Sequence, residues 1–374
     1  MVLTTFGQDS PKRQRQCHEI ENNQPVYYQR MLEKMEFPLA WRNAAIENFD
    51  QWREAARAKV TETFQTLPPP GPFDPEIVAS EKREGYTAHK IELNIHAYSR
   101  IPAYLLIPDG EGPFPALVAL HDHGGEFYIG KEKMVRPFGV EPEVLDFAVE
   151  WVTGGYGAHF VGDEYAKAGY VVLAIDALMW GERGRKEGIS YEGQQALAST
   201  LMQMGMNWKG IITFEDMRSV DFLASLPYVD ASRIGCFGLS VGAHRTWMLS
   251  AMHDRIAAAV SVCWMNTTEV LMRPWNNQLK GGSAYSMLLP GLPNWLDYPD
   301  IASITCPRPL MVFNGSRDPL FPVDGVEAAY EIIREVYESQ GAGEHFTGKL
   351  WDHPHIFPVD MQAEALAFFD KYLK

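Results

Sequence analysis

The stretch Arg233-Ile234-Gly235-Cys236-Phe237-Gly238-Leu239-Ser240-Val241-Gly242 decides how this chain is read. Its first half is an apolar run of strand length, and the residues after it, to His253, have the length and pattern of a helix. Glycines on either side of Ser240, in a G-x-S-x-G arrangement, let a strand turn sharply into a helix while leaving the serine hydroxyl exposed on a strained backbone. Glycine and serine are common, and an ordinary turn could carry the same letters. The placement of the motif between a strand and a helix makes Ser240 the candidate nucleophile.

A serine hydroxyl is a poor nucleophile at neutral pH, so a base must take its proton and an acid must orient that base. On a sheet of this type the expected order is Ser, then Asp or Glu, then His. Downstream, the apolar run Leu310–Phe313 ends in Asn314-Gly315-Ser316-Arg317-Asp318-Pro319, which places Asp318 in a loop at a strand's carboxyl end. By itself Asp318 would be a turn residue. Further on, Asp352-His353-Pro354-His355-Ile356-Phe357 offers two competing histidines before the last helix.

Around this core the pattern repeats. Ala116–Leu120, Tyr170–Ile175, Arg233–Phe237, Ala257–Cys263 and Leu310–Phe313 read as strands buried on both faces. Helix-length stretches alternate with them at Asp163–Ala168, Phe214–Ser225, Val241–His253, Val323–Glu338 and Met361–Tyr372. The fold class is α/β, a mainly parallel sheet wrapped by helices on both faces, with ligands expected beyond the carboxyl ends of the strands. Ile91–Ile95 and Ile101–Ile107 suit an antiparallel hairpin ahead of it. Residues 1–85 read as a helical N-terminal extension, with amphipathic stretches at Tyr27–Lys34 and Phe49–Phe64 and a stiff connector at Leu67–Pro72. Lid, dimer contact and brace remain equal readings for it. The hydrolytic domain is expected over residues 86–374.

The 374 residues exceed the usual ~150 per domain, yet one α/β domain with an extension and insertions accounts for them. With 46% hydrophobic and 22% charged residues the chain can bury a large core. Its formal charge of −15 repels phosphate backbones and anionic lipid, so neither nucleic acid nor membrane is an expected partner. Cys17, Cys236, Cys263 and Cys306 form no C-x-x-C pair and read as free thiols in a reducing compartment. The opening MVLTTFGQDSPKRQRQ shows no apolar core of a secretory signal, and no run of about 18 apolar residues follows, so a cytoplasmic location is expected.

These features together resemble the α/β-hydrolase superfamily, and within it the dienelactone-hydrolase and acetyl-xylan-esterase-like branch. Beside Ser240 the likeness rests on Leu120-His121-Asp122-His123-Gly124-Gly125, on Val229 to Gly235, on Ala302 to Leu310, and on the closing His-x-Phe. It spans about Lys90 to the C-terminus. The resemblance implies that His355 is the base, with His353 in reserve, and that the enzyme passes through an acyl-serine. One oxyanion donor is expected at the backbone N–H of Val241, directly after the nucleophile. The resemblance puts the second at His123, with Gly124 next. This chain carries Asp122 where that family usually has glycine, so a side chain occupies a place that normally has none.

His121 and His123, with His353 and His355, also invite a zinc reading. His-x-His is short and common, no Cys or carboxylate cluster completes a site, and a serine elbow has no task in a metallohydrolase. No metal or other cofactor is therefore expected. Two long insertions, about 177–210 and 264–300, are rich in Met and Trp. They read as substrate wall or lid against extra core or oligomer contact, with Trp180 the best candidate for a pocket aromatic. The expectation is a serine carboxylic-ester hydrolase acting on a small-molecule ester, of short-acyl type by family resemblance, with homo-oligomerisation left open. Serine peptidase, lactone or C–C hydrolase, and a non-catalytic binding protein on the same fold are the alternatives.

Overall fold

Strands without a polar face are stable only in a sheet covered on both sides. The computed structural model, which describes residues 18–21, 24–185, 189, 193–273, 276 and 284–374, has such a sheet. Its nine strands are β1 (Glu76–Arg83), β2 (Tyr86–His96), β3 (Ser99–Pro108), β4 (Phe114–Leu120), β5 (Val171–Ile175), β6 (Val229–Leu239), β7 (Ile256–Val262), β8 (Leu310–Gly315) and β9 (Phe346–Trp351). Across the sheet they lie in the order β9-β8-β7-β6-β4-β5-β3-β2-β1. From β9 to β5 every neighbouring pair is parallel. β3 joins β5 antiparallel, and β2 and β1 continue antiparallel to the edge.

The helices are α1 (Tyr28–Leu32), α2 (Phe49–Thr63), α3 (Pro142–Gly155), α4 (Val161–Lys167), α5 (Gly193–Gln203), α6 (Trp208–Ser225), α7 (Val241–Met252), α8 (Thr268–Leu271), α9 (Tyr298–Ser303), α10 (Val323–Ser339) and α11 (Val359–Leu373). The period of two along each strand sorts side chains into two cores. In β4, Ala116, Val118 and Leu120 enter one core, while Leu117 and Ala119 enter the other. β5 repeats this with Val171, Leu173 and Ile175 against Val172 and Ala174. The first core is closed by α2, α6, α7, α9 and α10, and the second by α3, α4 and α11. The α/β architecture and the expected hairpin, β2–β3, are both present.

The first 85 residues differ from the helical extension expected of them. β1 lies among them and pairs with β2 around Gly85, whose φ of 81° suits the turn, so the position between 85 and 86 falls inside a hairpin. α2 is no appendage either. It sets Trp52, Ala56 and Val60, with Phe64 at its end, into the first core at helical spacing. Its polar side is tied down by Arg57, which donates to the Ala251 carbonyl (2.7 Å) and to Asp254, and by Arg53, which reaches the Ile304 carbonyl (3.1 Å). Among the described residues this helix is a brace. The opening stretch with Cys17, and Trp275, Gly281 and Gly282 of the second insertion, lie outside the described residues. Cys236, Cys263 and Cys306 are buried free thiols, and no described helix is long and apolar enough to cross a membrane.

Trp52 anchors the brace: its indole N–H donates to the Leu39 carbonyl (2.8 Å) and its ring stacks on Phe49 at 5.1 Å. Trp52→Ala should lower unfolding free energy by about 3–5 kcal/mol, the range for truncating a buried aromatic. Urea titration followed by far-UV circular dichroism should still show one transition, because α2 shares its core with the sheet. A separate early transition with the main one unmoved would show α2 to be an independent unit.

Candidate active site

Ser240 stands where β6 ends and α7 begins, with φ 59° and ψ −120°. For a residue with a side chain such a backbone costs about 1–3 kcal/mol and persists only when its surroundings over-determine it. Here the Ser240 N–H donates to the Val262 carbonyl (2.8 Å), and its own carbonyl accepts the His244 N–H (3.0 Å). The elbow also presses on β4. A Cβ on Gly238 would lie 2.4 Å from the Leu120 carbonyl oxygen, and one on Gly242 2.0 Å from it. The two glycines are needed for that contact as much as for the turn.

Asp318 lies in the loop after β8. Its Oδ2 accepts from His355 Nδ1 (2.6 Å) and its Oδ1 from the Leu320 N–H (2.8 Å), so both oxygens are held. His355 follows β9, and its ring lies parallel to Phe321 at 5.9 Å, which sets its plane. His353 is turned elsewhere, with Nε2 facing Asp360 (2.9 Å) and its ring stacked on Trp351. Spacing leaves the two histidines equal, whereas the geometry puts only His355 against Asp318. Ser240 and His355 line one cavity of about 380 Å³, walled by Asp122, Phe147, Trp151 and Tyr156. Among its described lining residues there is no lysine or arginine.

The loop after β4 borders this cavity through Asp122 and Gly124. Gly124 has φ 59°, and a Cβ there would meet the Trp151 ring at 2.0 Å, so the loop can pass that ring only as glycine. Asp122 is pinned by the Tyr156 hydroxyl (2.6 Å) and the Trp151 indole N–H (3.2 Å). The His123 side chain points away from the cavity into aromatic packing, edge-on to Phe127 at 5.0 Å and to Trp180 at 5.2 Å. Its imidazole is therefore no part of the cavity wall. Val241 opens α7, where first-turn N–H groups have no partner within the helix.

Among the described residues, the four imidazoles of the two His-x-His pairs share no hydrogen-bond partner. His121 Nδ1 donates to the Asp122 carbonyl (2.9 Å), and its Nε2 accepts the Ala177 N–H (3.0 Å). His123 Nδ1 accepts the Gly125 N–H (2.8 Å), and its Nε2 faces Gln194 (3.3 Å). Burial pushes His121 well below the ordinary histidine range and His123 down to about 4, so both are neutral at pH 7. Two other groups have ligand-type atoms close together: Cys263 with Asp318 and His355, and Glu132 with Asp176 and Glu182. In the first, burial pushes the thiol up, away from the thiolate that a metal needs. In the second the cation is already Lys131, whose Nζ reaches Glu132 (2.7 Å), Asp176 (2.9 Å) and Glu182 (2.6 Å).

Trp180 does not occupy the expected position. It is fully buried and does not line the cavity of Ser240; its ring packs on Phe127 at 4.5 Å and Trp208 at 5.8 Å. The cause is Asp176, whose carboxylate accepts N–H bonds from Lys131 (2.7 Å) and Glu182 (3.2 Å) and folds the loop inward. None of the described residues of the second insertion lines this cavity either. Met265 and Met287 are core residues, and Met287 to Pro293 line a separate cavity of about 280 Å³ beside Trp247. The aromatic wall comes from α3, which sequence reasoning passed over. Phe147 and Trp151 stand one helical turn apart there, rings stacked at 6.3 Å, and that i, i+4 aromatic pair was the available signal.

A sequence-family model described as the Abhydrolase family matches residues 22–352. The protein named "Putative hydrolase YtaP" of Bacillus subtilis (strain 168) is 27% identical over 327 residues, covering 86% of this chain and all of that protein. Among solved structures, a "putative acetyl xylan esterase" of Bacteroides fragilis NCTC 9343 superposes with a TM-score of 0.71 at 21% identity, covering 86% of this chain and 80% of that one. A glucuronoyl esterase from Solibacter usitatus gives 0.60 at 14% identity, covering 87% and 93%. At these identities the structural likeness speaks for the fold.

The burial of His123 has a consequence in acid. Its folded pKa of about 4 lies below the ordinary value near 6.5, so between these values the unfolded state holds the extra proton. His123 therefore contributes loss of stability as pH falls from about 6.5 towards 4. Imidazole NMR should show His123 neutral from pH 8 to about 5, titrating only near 4. A midpoint near 6.5 would contradict this burial.

Proposed function

Because the chain belongs to the Abhydrolase family, we propose that it is a serine carboxylic-ester hydrolase working through Ser240, His355 and Asp318. One observation carries this reading: the strained Ser240 shares its cavity with His355, whose Nδ1 is 2.6 Å from a buried carboxylate oxygen of Asp318. With its Nδ1–H donated in a hydrogen bond to Asp318, the neutral His355 keeps at Nε2 the lone pair that can take the serine proton. Ser240 Oγ then attacks the acyl carbon, and the N–H groups of Val241 and His123 receive the developing oxyanion. His355 returns the proton to the leaving alcohol, and water repeats the sequence to release the acid.

The cavity supports a small neutral ester. About 380 Å³ is at the low end of ligand pockets, which favours short acyl groups of acetyl type. With Glu150 on its wall, Asp122 paired with Lys133 (3.6 Å) and no cation among its described lining residues, the cavity offers an anionic substrate no counter-charge.

Ser240→Ala should abolish p-nitrophenyl acetate hydrolysis and fluorophosphonate labelling while leaving the melting temperature within a few degrees. Turnover or labelling retained in that variant would overturn the assignment. Asp318→Asn should lower kcat by roughly 10⁴-fold, since the imidazole loses the partner that sets its tautomer. On a series of p-nitrophenyl esters, kcat/KM should fall from acetyl to octanoyl; a rise along it would sink the short-acyl reading.

A further inference from the structure

The loop after β4 is held by a lysine that no step of the proposed reaction uses. Lys133 is wholly buried, in the short 3-10 turn Lys131–Lys133. Its Nζ donates to three backbone carbonyls, those of Asp122, His123 and Glu126, each at 3.1 Å. An ammonium has three N–H donors, and a buried one is tolerable only when they are satisfied. Here all three find acceptors, and all three acceptors belong to one loop of five residues. Asp122 Oδ2, 3.6 Å away, supplies the opposite charge, and the Trp151 ring lies 4.6 Å from Nζ.

The direction of those bonds is what matters. A trans peptide is planar, with its N–H pointing opposite to its C=O. The Asp122 carbonyl shares a peptide plane with the His123 N–H, and the His123 carbonyl shares one with the Gly124 N–H. Turning both carbonyls onto one ammonium therefore turns both N–H groups to the opposite side of the loop. They are the two N–H groups that the family resemblance offers, His123 first and Gly124 next, as the second oxyanion donor beside Val241. We infer that Lys133 is a positioning residue, which fixes the oxyanion-binding face of the loop 122–126 by gathering its carbonyls, with Asp122 as its paired charge. This rests on the ester-hydrolase reading above. It also explains the carboxylate at a position where the resembled family has glycine: Asp122 partners Lys133 and is held out of the reaction by Tyr156 and Trp151.

The test compares Lys133→Met, which keeps length and removes every donor, with Lys133→Gln, which keeps two. Both are measured for melting temperature, for kcat and KM on p-nitrophenyl acetate, and for inhibition by phenylboronic acid, whose tetrahedral serine adduct places an oxygen in the oxyanion position. A folded Lys133→Met enzyme should lose about 10²–10³-fold in kcat, as for loss of an oxyanion donor, with KM within threefold. Boronate affinity should fall with kcat, and Lys133→Gln should recover part of both. A folded Lys133→Met enzyme with kcat within threefold of the parent, or with kcat lost and boronate affinity intact, overturns the inference. Failure of both variants to fold also overturns it, leaving the ammonium a purely structural role. The Ser240→Ala control separates the two levels: turnover surviving there removes the ester-hydrolase reading itself, whereas an inactive control beside an unimpaired Lys133→Met enzyme removes only the role of Lys133.

Discussion

The contact on which the rest depends is the Leu120 carbonyl lodged against Gly238 and Gly242. It brings the end of β4 and the start of α7 closer than any two side-chain-bearing residues could come. That approach sets the loop after β4 beside the elbow, so that Asp122 and Gly124 of the loop and Leu239 and Ser240 of the elbow line one cavity. The same approach leaves Ser240 no relaxed conformation. Its strain is sustained by the hydrogen bonds to Val262 and His244 and by two cores that a movement of β6 would disrupt.

Around this contact the protein uses buried charge where a loop has to hold one shape. Lys131 gathers three carboxylates beneath the turn at Gly181, and Arg183 makes a two-pronged pair with Glu215 (2.7 Å to each oxygen). Arg245 on α7 does the same with Asp216 on α6 at 3.0 and 2.7 Å. Such pairs add little net stability once desolvation is counted, but each is strongly directional. Their concentration at the carboxyl end of the sheet suits a site in which backbone direction matters more than bulk.

Much of this was legible in the sequence because burial on two faces leaves a plain mark. The runs that became β4 to β8 have no polar alternate, and G-x-S-x-G sits between a strand and a helix as the elbow does. The edges were not legible. β1 carries only Ile77, Val78 and Ala79 among charged residues, with Ile77 and Val78 exposed, and β9 is interrupted by Gly348, which leaves room for the Tyr330 ring. α3 was passed over although it builds the cavity wall. Trp180 was misjudged because a tryptophan after a strand reads as a pocket residue until Asp176 is known to draw the loop inward. Lys133 gave no sign at all: in Lys131-Glu132-Lys133 every residue is charged and every one is buried, against the strongest expectation about such residues.

The bracing of α2 also bears on how the chain is made. Its stripe of Trp52, Ala56 and Val60 is made before most of the core it packs into, and Arg57 finds Asp254 only 197 residues later. At about 5–20 residues per second that is a wait of roughly 10–40 s. For that time the helix has no completed seat, and three buried-type residues stand open to water or to other chains. Helix α2 is thus made well before part of its seat, and nascent chains stopped before Asp254 carry an apolar face that the finished protein covers.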